Sequence, residues 1–431
     1  MKLQDLCTVE LPQAEALTQD VIIRTGAIQH LGEMIIQHIG EPFLCISDPH
    51  PWNAANTEFN LEEAFGASMA LHLLEEHPKG DRTVVEELAA QAENYAGFVA
   101  IGSGTINDLV KALAAQTQKP YVVLGTAVSM NGYASNIAAL MDNQLKITLP
   151  SITPRAILLD TRIVCMAPLE MAKAGYADLL SRPVSMTDWW VRHQIEDVPY
   201  SDLPSQIVAP VFDQILQEAG ELPMRTASSF ESLGKALVLS GVSMAVAGNS
   251  APASGGEHLI SHLWDMHAIE REQPLQLHGA QVGVATCICA ALYEQLLSIE
   301  SPDFAEIPPW ESEEERIRTS HGNLAEVVLP EARRKWEKAP LRLQRLRETW
   351  PQLRQALQER TLPTCEQVHE WLERAEAPDN LRALGLAPED AMNALRNARD
   401  IRERYTVLDL AYELGYLPGG IDEVLNKAGV D

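Results

Sequence analysis

The sequence predicts two domains of different class: an α/β domain on a parallel, doubly wound sheet (1–165), then an all-α domain (166–431). Three observations predict this. Short apolar runs alternate with amphipathic stretches over the first part, strand signals nearly vanish beyond it, and 431 residues exceed one ordinary core.

The strand candidates are EPFLCISD (41–48), NYAGFVAIGSG (94–104), KPYVVLGT (119–126) and PRAILLD (154–160). Helical patterns such as INDLVKALAAQ lie between them, and strands alternating with helices imply a parallel sheet. Ligands of such sheets collect at the carboxyl ends of the strands. Beyond residue 166, APLEMAKAGYADLLSRPVSMTDWWVRH, FESLGKALVLSGVSMAVAG and GEHLISHLWDMHAIE carry apolar residues at helical spacing. Residues 301–316 are acidic. The stretch 331–360 holds nine Lys/Arg against four Asp/Glu, with Trp336 and Trp350 interleaved. It reads as a solvated helical face balancing its acidic neighbour rather than a nucleic-acid patch.

Composition narrows the partners. The 46% hydrophobic and 22% charged content is that of a folded protein. A net charge of −27 repels DNA, RNA and anionic membrane, so neither nucleic acid nor membrane is an expected partner. A phosphorylated ligand would need a local positive site, from a metal ion or helix N-termini. The six cysteines are scattered and form no CxxC, so neither a zinc ribbon nor a redox dithiol is indicated. The N-terminal MKLQDLCTVELPQAEAL lacks an apolar core, and no uncharged run is expected to reach the length of a membrane span. The expected location is a reducing cytoplasm.

Three segments carry chemistry. In GFVAIGSGTINDLVK (97–111), a strand ends at Ile101, and Gly102 and Gly104 allow a tight turn into a helix whose positive end suits a pyrophosphate. The pattern lacks the third glycine of the usual dinucleotide fingerprint. In GTAVSMNGYAS (125–135), Thr126, Ser129 and Ser135 flank the turn-forming pair Asn131-Gly132 at the same sheet edge. Third, four of the twelve histidines (His258, His262, His267, His278) fall within 21 residues. His258 and His262 share a helical face, and His267 belongs to the opposite one. Glu257 precedes this pair instead of lying inside it, so HExxH protease chemistry does not apply. Asp178, a carboxylate in the otherwise apolar AKAGYADLLSR, is the candidate third metal ligand. Asp48, at the end of the FLCIS strand, is placed to bond an adenosine ribose and to repel a 2′-phosphate, which favours NAD over NADP.

GSGTINDLVK, TAVSMNGYAS, AGYADLLSR, PASGGEHLISH and LHGAQVGVA together resemble, in order, the motif series of bacterial sn-glycerol-1-phosphate dehydrogenases. These enzymes lie within the superfamily of dehydroquinate synthase and iron-containing alcohol dehydrogenases. The late NARDIRERYTVLDLA (397–411) extends the resemblance over nearly the whole chain. It implies a dehydroquinate synthase-like fold, with a Rossmann-like nucleotide-binding domain and a helical metal- and substrate-binding domain. One divalent metal, zinc with nickel or iron as alternatives, would be held by Asp178, His258 and His278, and His262 would contact substrate. Gly102, Ser103, Gly104, Thr105, Asn107 and Asp108 would lie along NAD(H) or NADP(H), with Thr126, Ser129 and Ser135 completing that pocket. The implied reaction interconverts sn-glycerol 1-phosphate and dihydroxyacetone phosphate, in a homodimer or larger homo-oligomer. Alternatives are a glycerol dehydrogenase-like or dehydroquinate synthase-like metalloenzyme on another substrate, or a catalytically impaired homologue that still binds metal and nucleotide. The sequence departs from the family pattern in four places. Asn131 stands where SxDG has its substrate-binding aspartate, Val128 replaces a proline, Ala177 a glycine and Arg182 a lysine.

Overall fold

The structure is a computed structural model that describes residues 1–142 and 145–430. Six strands form one wholly parallel sheet: β1 (Asp20–Ile23), β2 (Phe43–Ser47), β3 (Met69–Leu73), β4 (Gly97–Gly102), β5 (Tyr121–Gly125) and β8 (Ala156–Leu159). Their order is β1-β8-β5-β4-β2-β3. Two more strands, β6 (Ile137–Asp142) and β7 (Leu145–Pro150), pair antiparallel as a separate ribbon. The four central strands β2, β4, β5 and β8 are buried along their whole length. That is why they read as unbroken apolar runs in the sequence. The chain passes from β2 out to edge strand β3 and back to β4, so the strand order reverses between β2 and β4. Such a switch point leaves a crevice at the carboxyl ends, where ligands of doubly wound sheets bind.

Beyond Leu159 every regular element among the described residues is helical. The compact units do not follow a single cut in the chain. One comprises Met1–Leu179 with Asp202–Ser250, the other Leu180–Ser201 with Ala251–Asp431. The expected boundary at 165/166 thus falls inside the first unit, because the helix Ala227–Ala247 packs with the sheet. A Cβ on its Gly234 would lie 3.0 Å from Leu159 Cδ1 and 3.3 Å from Ile23 Cγ2, so the small residue permits the close approach.

Two expectations need correction. The helices Ala227–Ala247 and His278–Ser298 are each long and apolar enough to cross a membrane by length and composition. Both are largely buried (72% and 83% of the apolar windows). A helix that is apolar all round and enclosed by protein serves as a core helix. Nor is the basic stretch 331–360 only a solvated face. Lys335 and Arg342 are buried in the helix Ala325–Gln358, Lys335 paired with Asp409 at 2.9 Å and Arg342 with Glu413 at 2.8 Å. Trp350 is buried as well, its Nε1–H donating to Ile299 O at 3.1 Å. Buried charges demand such partners, and those bound to protein carboxylates do not serve a polyanion.

Candidate metal centre and nucleotide turn

In the first unit, β4 runs into the helix Gly104–Thr117 through Gly102 and Ser103. A Cβ on Gly102 would sit 2.6 Å from Ile106 Cβ, so only glycine lets the chain turn this tightly. Ser47 Oγ donates to Ile101 O at 2.7 Å and Thr126 N–H to Gly102 O at 3.1 Å, fixing the ends of β2, β4 and β5 side by side. Asp48 follows β2 at the switch point. Its Oδ1 accepts from His50 N–H (3.1 Å), capping the helix Pro49–Phe59.

The six residues expected along a cofactor do not share one environment. Ser103, Gly104 and Thr105 are partly or fully exposed at the turn, beside the buried Gly102. Asn107 is fully buried. Asp108 accepts from Lys111 Nζ at 3.3 Å and from Ala139 N–H at 3.2 Å, tying the helix to β6.

The loop after β5 is held by a residue that sequence reasoning assigned no role. Lys111 is fully buried, and its Nζ donates to Gly132 O (2.6 Å), Ile137 O (2.9 Å) and Ser135 Oγ (3.0 Å). Burial pulls its ammonium below the usual lysine value, with Asp108 opposing. The only signal in the sequence was a lysine inside the apolar run LVKALAA. Ser135 is therefore part of this staple, whereas Ser129 and Asn131 remain half-buried. Two helices also seat the loop's backbone. A Cβ on Gly175 would lie 2.1 Å from Val128 O, and one on Gly241 2.7 Å from Asn131 O. Lys111→Met should cost about 3 kcal/mol, because one buried and two part-buried acceptors lose a charged donor. A fall in the urea midpoint measures it, and an unchanged midpoint would show that the staple is dispensable.

In the second unit, His258 and His262 lie on the helix Gly256–Glu270, and His278 opens the helix His278–Ser298. Their rings converge, with centroids 5.1 Å apart for His258–His278, 5.5 Å for His262–His278 and 6.1 Å for His258–His262. His267 is not among these contacts. It is buried, which lowers its pKa, and its charged neighbours are Arg271, His321, Glu270 and Asp390.

Asp178 is buried in the last turn of the helix Leu169–Leu180. The ligand atoms offered by Asp178, His258 and His278 lie within 4.8 Å of one another. Ligands at 2.0–2.2 Å from a tetrahedral ion stand about 3.5 Å apart, so small rotations would close the set, leaving a fourth position for substrate. A second group, His50, Glu76 and His77, meets the same distance but is wholly exposed, with His50 Nε2 and Glu76 Oε1 hydrogen-bonded at 2.6 Å.

The ring nitrogens support ligation by the set of Asp178, His258 and His278. His258 Nδ1–H donates to Glu257 Oε1 at 2.9 Å. His278 Nδ1–H donates to Ser261 Oγ at 3.1 Å, and that hydroxyl donates on to Gln281 Oε1 at 2.7 Å. Protein acceptors on Nδ1 select the tautomer whose Nε2 carries the lone pair. Glu257, Ser261 and Gln281 were not identified from sequence, since their part depends on ring orientation. Behind Glu257 lies a second buried carboxylate, Asp188, which accepts from Gly256 N–H (2.7 Å), Val407 N–H (2.9 Å) and Tyr293 Oη–H (2.5 Å). Burial and the nearby Glu257 push its carboxyl up to about 8.

The chain is similar to known proteins over most of its length. The chain is 28% identical over 403 residues to glycerol-1-phosphate dehydrogenase [NAD(P)+] of Bacillus velezensis, covering 92% of this chain and 91% of that protein. It is likewise 28% identical over 385 residues to the Bacillus subtilis protein of that name, covering 88% and 86%. The crystal structure of glycerol dehydrogenase from Schizosaccharomyces pombe superposes with a TM-score of 0.62 at 14% identity, over 96% of this chain and 93% of that one. Residues 22–168 match the family model described as iron-containing alcohol dehydrogenase.

Proposed function

We propose that this protein is a metal-dependent NAD(P)-linked dehydrogenase that interconverts sn-glycerol 1-phosphate and dihydroxyacetone phosphate. The observation that carries the reading is the set of buried Asp178 and His258 with half-buried His278, in which both histidines engage protein acceptors through Nδ1. The named relatives supply the substrate pair. Asp178 and the Nε2 atoms of His258 and His278 would hold one divalent ion. Bound there, a metal supplies Lewis acidity toward the substrate oxygen, and a bound nicotinamide supplies the hydride chemistry. The chain's own residues do the rest. The Gly102–Thr105 turn offers backbone N–H groups and a helix N-terminus to the pyrophosphate. His262, half-buried and stacked at 20° on His278, is the group placed to give or accept the substrate's proton.

The test is oxidation of NADH and of NADPH with dihydroxyacetone phosphate and its unphosphorylated analogues, with metal analysis of the same sample. One ion per chain and lasting loss of nicotinamide absorbance are expected. A metal-loaded protein that oxidises neither cofactor on any of these ketones would overturn the dehydrogenase reading.

The place of Asp48 beside the switch point leads to a narrower expectation. NADH should bind about tenfold more tightly than NADPH, roughly 1.4 kcal/mol, because the carboxylate accepts from a ribose 2′-hydroxyl and repels a phosphate there. Asp48→Asn should narrow the ratio of the two dissociation constants. Tighter NADPH binding by the natural protein would remove Asp48 from the cofactor site.

A further inference from the structure

Glu257 is a fully buried carboxylate at the start of the helix Gly256–Glu270, and its two oxygens are used unequally. Oε1 accepts from Gly255 N–H at 2.7 Å and from His258 Nδ1–H at 2.9 Å, while Oε2 is buried with no hydrogen-bond partner. The Asp188 carboxylate lies close by, since a Cβ on Gly255 would stand 2.6 Å from Asp188 Oδ2 and 2.8 Å from Glu257 Oε2. A half-buried cation, Arg404, interacts electrostatically with both carboxylates, and its Nη1–H donates to Ser254 O. Two buried carboxylates thus lie side by side, and one oxygen of Glu257 lacks a hydrogen bond. An anion held this way is costly to the folded chain unless further positive charge arrives. The helix N-terminus supplies part of it.

We infer that Glu257 is a positioning residue for the metal: it fixes the His258 ring through Nδ1, and its buried negative charge is compensated when the cation binds at Nε2 of the same ring. This rests on the metal reading of Asp178, His258 and His278. Outer carboxylates of this kind commonly change metal affinity 10–100-fold. Glu257 would then cost stability in the metal-free protein and return it in the loaded one. A carboxylate kept only for packing would show no such dependence on metal.

The experiment measures zinc dissociation constants by chelator competition, with thermal unfolding of metal-free and zinc-loaded samples, for wild type, Glu257→Gln, Glu257→Ala and His258→Ala. Glutamine keeps the size and can still accept from Nδ1–H, but it carries no charge. Glu257→Gln should weaken zinc binding about tenfold and Glu257→Ala up to about a hundredfold. The metal-free Glu257→Gln protein should melt no lower than metal-free wild type, and zinc should raise its melting temperature less. Should Glu257→Ala fail to fold, the glutamine variant alone carries the test. Wild-type zinc affinity in Glu257→Gln, with His258→Ala unable to bind zinc, would overturn the inference and leave the metal site standing. A metal-free Glu257→Gln protein that melts well below wild type would also overturn it, since the charge would then be structural. Wild-type zinc binding by His258→Ala would overturn the metal site and this inference together.

Discussion

His258→Ala is expected to reduce bound metal from about one ion per chain to nearly none, and turnover by roughly a thousandfold or more. If Asp178, His258 and His278 hold the ion, three protein ligands would leave none to spare in a four-coordinate site that must also admit substrate. Removing one forfeits the Lewis acidity on which ionisation of a secondary alcohol depends near neutral pH. A factor of a thousand corresponds to about 4 kcal/mol of transition-state stabilisation, within what one such electrophile supplies. His267→Ala is the matched control. It lies nine residues along the same helix, is also buried, and has Arg271 and Asp390 among its charged neighbours. That variant should keep its metal. The decisive measurement is elemental analysis of the purified, dialysed variants beside their turnover. If His258→Ala retained a full equivalent of metal, or His267→Ala lost it, the ligand set argued above would be wrong.

The parts of this centre were unequally legible in the sequence. The central strands β2, β4, β5 and β8 stood out because burial on both faces leaves an unbroken apolar run. Short or marginal strands did not. β1 is four residues long, β3 sits half-exposed at the edge with His72 in it, and β6–β7 form a ribbon outside the main sheet. The histidine cluster was visible because four such residues rarely crowd into so short a span. The acceptors that set their tautomers were not visible. Glu257 is adjacent in sequence to His258, but only the ring's orientation shows the bond between them. Lys111 was hidden for a related reason, since its acceptors come from a loop 21 to 26 residues further on. The helix Ala227–Ala247 was read as a helix, but its place in the first compact unit was not legible. Helical periodicity reports that a face is buried, not what buries it.

Asn131→Asp is expected to raise turnover of dihydroxyacetone phosphate by one to two orders of magnitude without changing metal content. The backbone of this turn is held from several sides. Lys111 binds Gly132 O, Gly241 leaves room for Asn131 O, and Gly175 does the same for Val128 O, so a change at position 131 should alter chemistry rather than loop shape. The side chain there is half-buried. In the related motif an aspartate occupies this position, accepting hydrogen bonds only and able to share a proton. Asparagine is similar in size but neutral, and it presents donors where the carboxylate presents acceptors. A hydrogen bond to a charged group is worth about 1.5–3 kcal/mol, which is roughly a ten- to hundredfold factor in rate. If the natural substrate is the family's, wild type should be slow by that factor and the aspartate variant should recover most of it. If asparagine has instead adapted the site to a substrate that offers an acceptor or added negative charge to its amide, Asn131→Asp should abolish turnover of that substrate and gain little on dihydroxyacetone phosphate. Running both proteins on one panel of phosphorylated and unphosphorylated ketones separates these outcomes. Brisk wild-type turnover of dihydroxyacetone phosphate, unchanged by the aspartate, would show that position 131 does not touch the reacting end of the substrate.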